Sequence, residues 1–321
     1  MRLAPPLAAL AFALAAPTAG AASFTPGPCP TPETPIPALT TARCGFLTVP
    51  ERRADPASRT IRLRVAIVPA RSRTPAPDPV VYLTGGPGGS AIGAMQNVVN
   101  AGANRDRDLI VLEQRGTLYS DPSLTCTVID RWNSRVVSLP YDARSTGRKQ
   151  TAATARCRQS VVAKGADPAA YNTTESTQDI ADLRVALGLA EWNVMGASYG
   201  TDLALSYVRD HPEGVRSVTV DSVVPPDQAS TGLAWTSAAA GMRNMVASCR
   251  AQPSCRRRYP RPDRVFTRIV RDLERHPRVA RVKPALIPGD RPEPGAKRTK
   301  VVLDGGAFAN YIINITGAGF G

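Results

Sequence analysis

Two glycine-rich turns carry residue types and spacings from which chemistry can be built. In Gly196-Ala197-Ser198-Tyr199-Gly200 a serine stands at the centre of the G-x-S-x-G spacing, after an apolar run and before a helical pattern. A serine in that setting occupies a sharp turn. Only glycine-sized neighbours let strand and helix pack closely enough to hold its hydroxyl out into a site. The chemistry this allows is nucleophilic attack on a carbonyl, with the acyl group carried as an ester on Ser198. The second turn, Thr84-Gly85-Gly86-Pro87-Gly88-Gly89-Ser90, follows another apolar run. Its backbone lacks side chains, so N–H groups can approach a substrate carbonyl whose oxygen is gaining charge, with the Tyr199 N–H as the other donor. A phosphate loop is the rival reading, but G-x-x-x-x-G-K-[ST] is absent and no lysine lies near the turn.

Both turns need strands to end on and helices to begin. Thr60 to Ile67 alternates Ile61, Leu63, Val65 and Ile67 with Arg62 and Arg64, which predicts a half-buried strand. Val80 to Leu83, Leu109 to Leu112, Trp192 to Met195 and Val215 to Val220 are short apolar runs bounded by turn residues, the pattern of strands buried on both faces. Thr177 to Leu187, with an Asp-rich start at Asp179 and Asp182, reads as an amphipathic helix closed by Gly188, and a second helix runs from Tyr199 to Asp210 before Pro212. Strands alternating with helices predict a doubly wound, mostly parallel α/β sheet, whose chemistry lies at the carboxyl ends of its strands.

The chain of 321 residues, 43% hydrophobic and 21% charged, can bury a large core with a smaller appendage despite 30 prolines and 25 glycines. Forty Lys+Arg against 26 Asp+Glu leave a net charge of +14. Most of the excess is scattered arginine without RNP-like aromatics or zinc-finger spacing, so nucleic acid is not the expected partner. Residues 1–21 combine a charged start, a short apolar stretch and an A-x-A site, the composition of a secretory signal peptide. That stretch is too short to span a bilayer, and the mature chain is expected to be exported. Export permits disulfides, and the six cysteines cluster as Cys29/Cys44, Cys126/Cys157 and Cys249/Cys255. Three local bridges are expected among the fifteen possible connectivities. No Cys/His spacing suggests a metal, and no cofactor is expected.

The order of Cys44-Gly45-Phe46-Leu47-Thr48-Val49-Pro50, Gly85-Gly86-Pro87-Gly88, Glu113-Gln114-Arg115-Gly116-Thr117, Gly196 to Gly200 and Val215-Arg216-Ser217-Val218 resembles exported α/β-hydrolases similar to proline iminopeptidases and tripeptidyl aminopeptidases. The resemblance covers about Cys29 to Asp227. It implies Ser198 as the acylated nucleophile, and the Tyr199 and Gly86 amides as oxyanion donors with Gly85 as the alternative. It also implies Gln114 and Arg115 as structural members of the site wall. The chain departs from the pattern at Thr84, where proline iminopeptidases usually have His, and at Glu113 and Leu118, which replace the Asp and second Gly of D-Q-R-G-T-G. These departures bear on proline specificity more than on the fold.

From Gln228 onward the pattern resembles the helical lid of such enzymes, giving an expected division into a signal peptide (1–21), a hydrolase core (22–227) and a partial lid or cap (228–321). Val265 to Arg275 carries Phe266, Ile269, Val270 and Leu273 on one stripe suited to packing. Arg256-Arg257-Arg258 reads as a solvated basic run, and Pro284 to Lys300 as a breaker-rich linker. A serine triad needs a histidine base and an orienting carboxylate, yet the chain has only His211 and His276. His211 lies on the helix that starts beside Ser198, about 20 Å along it. His276 precedes Pro277 at a helix end, where it suits the helix carbonyls. Asp221 would be an unusual acid. The sequence therefore reads as the amino-terminal part of an exported serine hydrolase, an aminopeptidase of short peptides, with its last strands missing and nearly inert as it stands. A carboxylesterase or lipase, and a non-catalytic peptide-binding remnant, are the alternatives; the oligomeric state is not indicated.

Overall fold

The computed structural model describes residues 22–141, 143–228, 230–283 and 297–318, the side chains of 230–235 and 313–318 excepted. The expected signal peptide and most of the Pro284 to Lys300 linker lie outside the described residues. In chain order the elements are β1 (Ser23–Pro26), β2 (Arg43–Pro50), β3 (Thr60–Val68), β4 (Val80–Leu83), α1 (Ala91–Asn100) and β5 (Leu109–Leu112). There follow α2 (Thr127–Val136), α3 (Arg144–Ala163), α4 (Thr173–Ala186), β6 (Trp192–Ala197), α5 (Tyr199–Asp210) and β7 (Val215–Asp221). The remainder is α6 (Ser230–Ala251), α7 (Pro253–Arg258), α8 (Pro262–Arg275), β8 (Arg278–Val282), β9 (Thr299–Leu303) and α9 (Gly305–Ala318). Contacts divide the chain into two compact units, residues 1–123 with 169–221, and residues 124–168 with 222–321.

The first unit is built on a seven-stranded sheet of order β1-β2-β3-β5-β4-β6-β7. Strands β5, β4, β6 and β7 run parallel, as α/β alternation requires. The amino-terminal strands pair antiparallel, β1 with β2, β2 with β3 and β3 with β5. The nine-residue link from β2 to β3 is too short for a helical crossover and suits a hairpin, which is why the sheet is mixed. The alternation read in Thr60 to Ile67 is real: Ile61, Leu63 and Val65 are buried, with Arg62 exposed. One core cluster joins these residues to Leu83, Leu183, Val194, Leu203 and Tyr207 on one side of the sheet; another gathers Tyr82, Ile92, Met95 and Val111 on the opposite side.

Two expectations need correction. The helix expected from Thr177 begins at Thr173, because the Asn172 side chain accepts the Glu175 N–H and supplies the cap, while Asp179 is an interior residue. Val215 to Val220, expected as a strand buried on both faces, is exposed from Arg216 to Thr219. It is the last strand of the sheet and pairs only with β6 among the described residues.

In the second unit Cys126–Cys157 joins α2 to α3, and Cys249–Cys255 joins α6 to α7; in the first, Cys29–Cys44 anchors the loop before β2. All six cysteines thus pair with their neighbours in sequence. The Phe266 ring of α8 lies 5.9 Å from that of Phe308 on α9, and Leu273 is buried, so the apolar stripe of α8 is a packing surface. The antiparallel pair of β8 and β9 was not legible, since Arg278-Val279-Ala280-Arg281-Val282 has no two-residue alternation and is wholly exposed.

Asp78, at the foot of β4, is buried and receives Arg107 at 2.9 Å, Arg216 at 2.9 Å and the Asn193 amide at 2.7 Å. Burial alone would push its carboxyl up. The hydrogen bonds from Arg107 and Asn193 outweigh it and hold the group at about 2. An unfolded aspartate titrates near 3.9, so the stabilisation is complete above that pH and is lost as pH falls towards 2. Asp78→Asn is expected to lower stability at neutral pH and to flatten the loss of stability between about pH 4 and pH 2, read by urea unfolding across that range; an unchanged acid profile would refute the assignment.

Candidate active site

The two glycine-rich turns emerge side by side because β4 and β6 are neighbours, with Leu83 opposite Gly196. The chain leaves β6 at Ala197 and enters α5 at Tyr199, leaving Ser198 alone in the turn. Ser198 has φ 54° and ψ −125°, a left-handed backbone that costs a non-glycine residue on the order of 1–3 kcal/mol. Two contacts hold it there: its N–H donates to the Asp221 carbonyl at 2.9 Å, and its own carbonyl accepts the Thr201 N–H at 2.8 Å. The Ser198 residue is exposed, and its hydroxyl has no hydrogen-bond partner among the described residues.

Glycine is required at this crossing by distance. A methyl group on Gly200 would collide with the Leu83 carbonyl oxygen, and one on Gly196 with the Gly200 carbonyl oxygen. On the facing turn, a methyl group on Gly85 would lie 2.7 Å from Ser198 Cβ and 3.2 Å from Ser198 Oγ. The structure therefore brings Ser198, Tyr199 and Gly85 together. Gly86 is the next residue of the same turn, with φ 125°, and the turn is closed by the Gly89 N–H donating to the Gly85 carbonyl at 3.2 Å. Tyr199 opens α5, so its N–H has no partner within the helix. Its side chain is partly buried, its hydroxyl lies 2.9 Å from that of Thr173, and burial pushes the phenol up.

The turn of Gly85 to Ser90 is anchored by a residue the sequence reading noted only as a departure. Glu113, fully buried at the end of β5, accepts hydrogen bonds from the Ser90 and Thr117 hydroxyls and, at 3.0 Å, from the Ile92 N–H. Burial pushes its carboxyl up despite these donors. Ser90 is also the N-cap of α1, accepting the Gly93 N–H at 2.9 Å, so one carboxylate fixes both the end of the turn and the start of the helix. Gln114 donates to the Thr84 carbonyl at 2.8 Å. Arg115 grips both oxygens of Asp179 at 2.7 Å and the carbonyls of Glu51 at 2.6 Å and Ala170 at 2.7 Å. Arg53 adds contacts to Asp179 at 2.7 Å and Glu175 at 2.7 Å. Gln114 and Arg115 are thus parts of the wall behind the site. The partner of Arg115, Asp179, is not legible in the sequence, since nothing in a helical pattern marks which carboxylate will meet an arginine from another segment.

His211 ends α5, a helix of 12 residues and about 18 Å, and its Nε2 lies 2.8 Å from the Gln178 amide. It is not at the elbow. His276 ends α8 in the second unit, with its N–H donating to the Asp272 carbonyl at 2.8 Å. Among the described residues no group of three or more His, Cys, Asp or Glu is placed to hold a metal, and no helix is long and apolar enough to cross a membrane.

Residues 78–268 match the alpha/beta hydrolase fold family. A tripeptidyl aminopeptidase of Streptomyces lividans is 29% identical over 194 residues, 58% of this chain and 36% of that protein. A proline iminopeptidase of Xylella fastidiosa is 54% identical over 43 residues, 13% of this chain and 14% of that protein. The chain therefore spans little more than a third of the first relative's length. A solved proline iminopeptidase of Mycobacterium smegmatis is 17% identical, with a TM-score of 0.38 over 70% of this chain and 60% of that one.

Gly200→Ala is expected to destabilise the first unit by about 3 kcal/mol or more, because its methyl group meets backbone that cannot yield. A thermal midpoint within a degree of the parent would show that α5 can shift away from β4.

Proposed function

Because the chain belongs to the α/β-hydrolase fold family, we propose that it is an exported serine hydrolase that cleaves short peptides from their amino ends. The observation that carries this reading is Ser198, held at φ 54° between strand and helix with its hydroxyl beside the Gly85 turn. Ser198 attacks the scissile carbonyl, and the amides of Tyr199 and of Gly86 or Gly85 receive the oxyanion. The proton lost by Ser198 passes through solvent water to the leaving amine, and a second water hydrolyses the Ser198 ester to the free acid and restores the hydroxyl. Peptide amides are favoured as substrates by the relatives named tripeptidyl aminopeptidase and proline iminopeptidase. Export is favoured by the composition of residues 1–21 and by the pairing of all six cysteines, which suits an oxidising compartment. No metal or cofactor takes part in this scheme.

His211 and His276 are not the base in this reading, because His211 is held on Gln178 at the far end of α5 and His276 closes α8. Without an imidazole at Ser198, turnover by these 321 residues is expected to fall to the ~10³ to 10⁴ over water that an oxyanion hole and binding supply.

The test is hydrolysis of tripeptidyl and aminoacyl anilides, with carboxyl esters of matched acyl groups beside them. Amide turnover is expected to be slow, with whatever exceeds that serine-independent floor lost in Ser198→Ala and kept in His211→Ala and His276→Ala. Turnover unaffected by Ser198→Ala would sink the nucleophile, and robust turnover abolished by either histidine variant would restore that histidine as base. Cleavage of esters alone would make the protein an esterase. Calorimetric binding of a tripeptide with no turnover in any variant would make it a binding protein.

A further inference from the structure

Helices α2 and α3 present two matched faces to one another. On α2 these are Val128, Arg131, Trp132 and Arg135, at the i, i+3, i+4, i+7 spacing of a single helix face. On α3 they are Lys149, Ala152, Ala153 and Arg156, at the same spacing. Between them lies a groove of about 810 Å³. The two alanines give α3 a low wall there, and the volume falls within the roughly 300–1,000 Å³ of small-molecule sites.

Its charge is one-sided. Arg131, Arg135, Lys149 and Arg156 line it, and among the described residues no carboxylate does. None of the four forms an ion pair among the described residues; the Arg131 Nε donates to the Thr127 carbonyl of its own helix at 3.2 Å. Four like charges around one groove repel each other and focus a positive potential into it, which an anion relieves. The floor is apolar, with Trp132 half-buried and no cation stacked on its ring. An inorganic anion would leave that floor wet. A neutral apolar molecule would leave the cations uncompensated. The walls are held by the Cys126–Cys157 disulfide, which joins the start of α2 to α3 and places Cys126 in the lining, so the site is preorganised.

We propose that this groove binds an amphiphilic anion, a molecule with one acidic head group and an apolar body, the head held by the cations that line the groove and the body by Trp132 and the alanines. The groove is lined by residues of the second unit alone and shares none with the Ser198 turn.

The experiment is calorimetric titration of the full chain with decanoate below its micelle concentration, with acetate, decanol and a short DNA duplex as comparison arms. Decanoate is expected to bind saturably at one site. Acetate and decanol, which each lack half of the recognised chemistry, should bind at least tenfold more weakly. Arg135→Gln with Arg156→Gln, both at exposed positions, and separately Trp132→Ala, should each weaken decanoate at least tenfold, with circular dichroism matching the parent. Ser198→Ala should leave it unchanged. No saturable decanoate binding, or binding that these variants leave intact, overturns the proposal. DNA that competes with decanoate and binds more tightly would reassign the groove to a polyanion and also overturn it.

Discussion

The pairing of Leu83 with Gly196 in adjacent parallel strands is the constraint on which the site rests. It makes two turns far apart in sequence leave the sheet together, and it brings α5 so close to β4 that Gly200 has no room for a side chain, while Gly196 is crowded by the first turn of α5 itself. The strained backbone of Ser198 follows from the same closeness, since the chain must reverse from strand to helix within one residue. The strain is sustained by ordinary hydrogen bonds to Asp221 and Thr201 and by the packed strands beneath.

Behind that crossing stands a layer of buried charge. Arg115 and Asp179 are both almost wholly buried, and burying them costs several kcal/mol per ion unless each is fully hydrogen-bonded. The bidentate contact, the Glu51 and Ala170 carbonyls and the added guanidinium of Arg53 meet that condition. Such an arrangement contributes little net stability, but it ties β5, α4 and the loop after β2 to one geometry. Glu113 does the same for the Gly85 turn, joining β5 to the start of α1 through Ser90 and Ile92. Neighbouring residues of one short segment, Glu113, Gln114 and Arg115, therefore position the turn, its first carbonyl and the wall.

The second unit follows a different logic. Its segment from residue 124 to 168 is joined to the residues after 222 by the Val302 N–H on the Val137 carbonyl and by Asp304, buried, which accepts the Tyr141 N–H. Its helices α3, α7 and α8 are arginine-rich on their exposed faces, and the disulfides that join α3 to α2 and α7 to α6 replace part of the apolar core that such faces forgo.

What the sequence determined is local. Periodicity marked β3, β4, β5, β6 and α5 because alternation and short apolar runs reflect burial that each segment carries in its own residues. The Gly196 to Gly200 spacing marked the elbow for the same reason: its requirement is steric and acts within five residues. The partner of Arg115, the anchoring role of Glu113 and the exposure of β7 are relations between distant segments, and no pattern within one segment encodes which neighbour it meets. The N-cap at Asn172 was missed because Asp179 offered a more conspicuous acidic start, and only the tertiary fold showed that this carboxylate is committed to two arginines. The antiparallel start of the sheet was likewise decided by which strands lie side by side once the core closes.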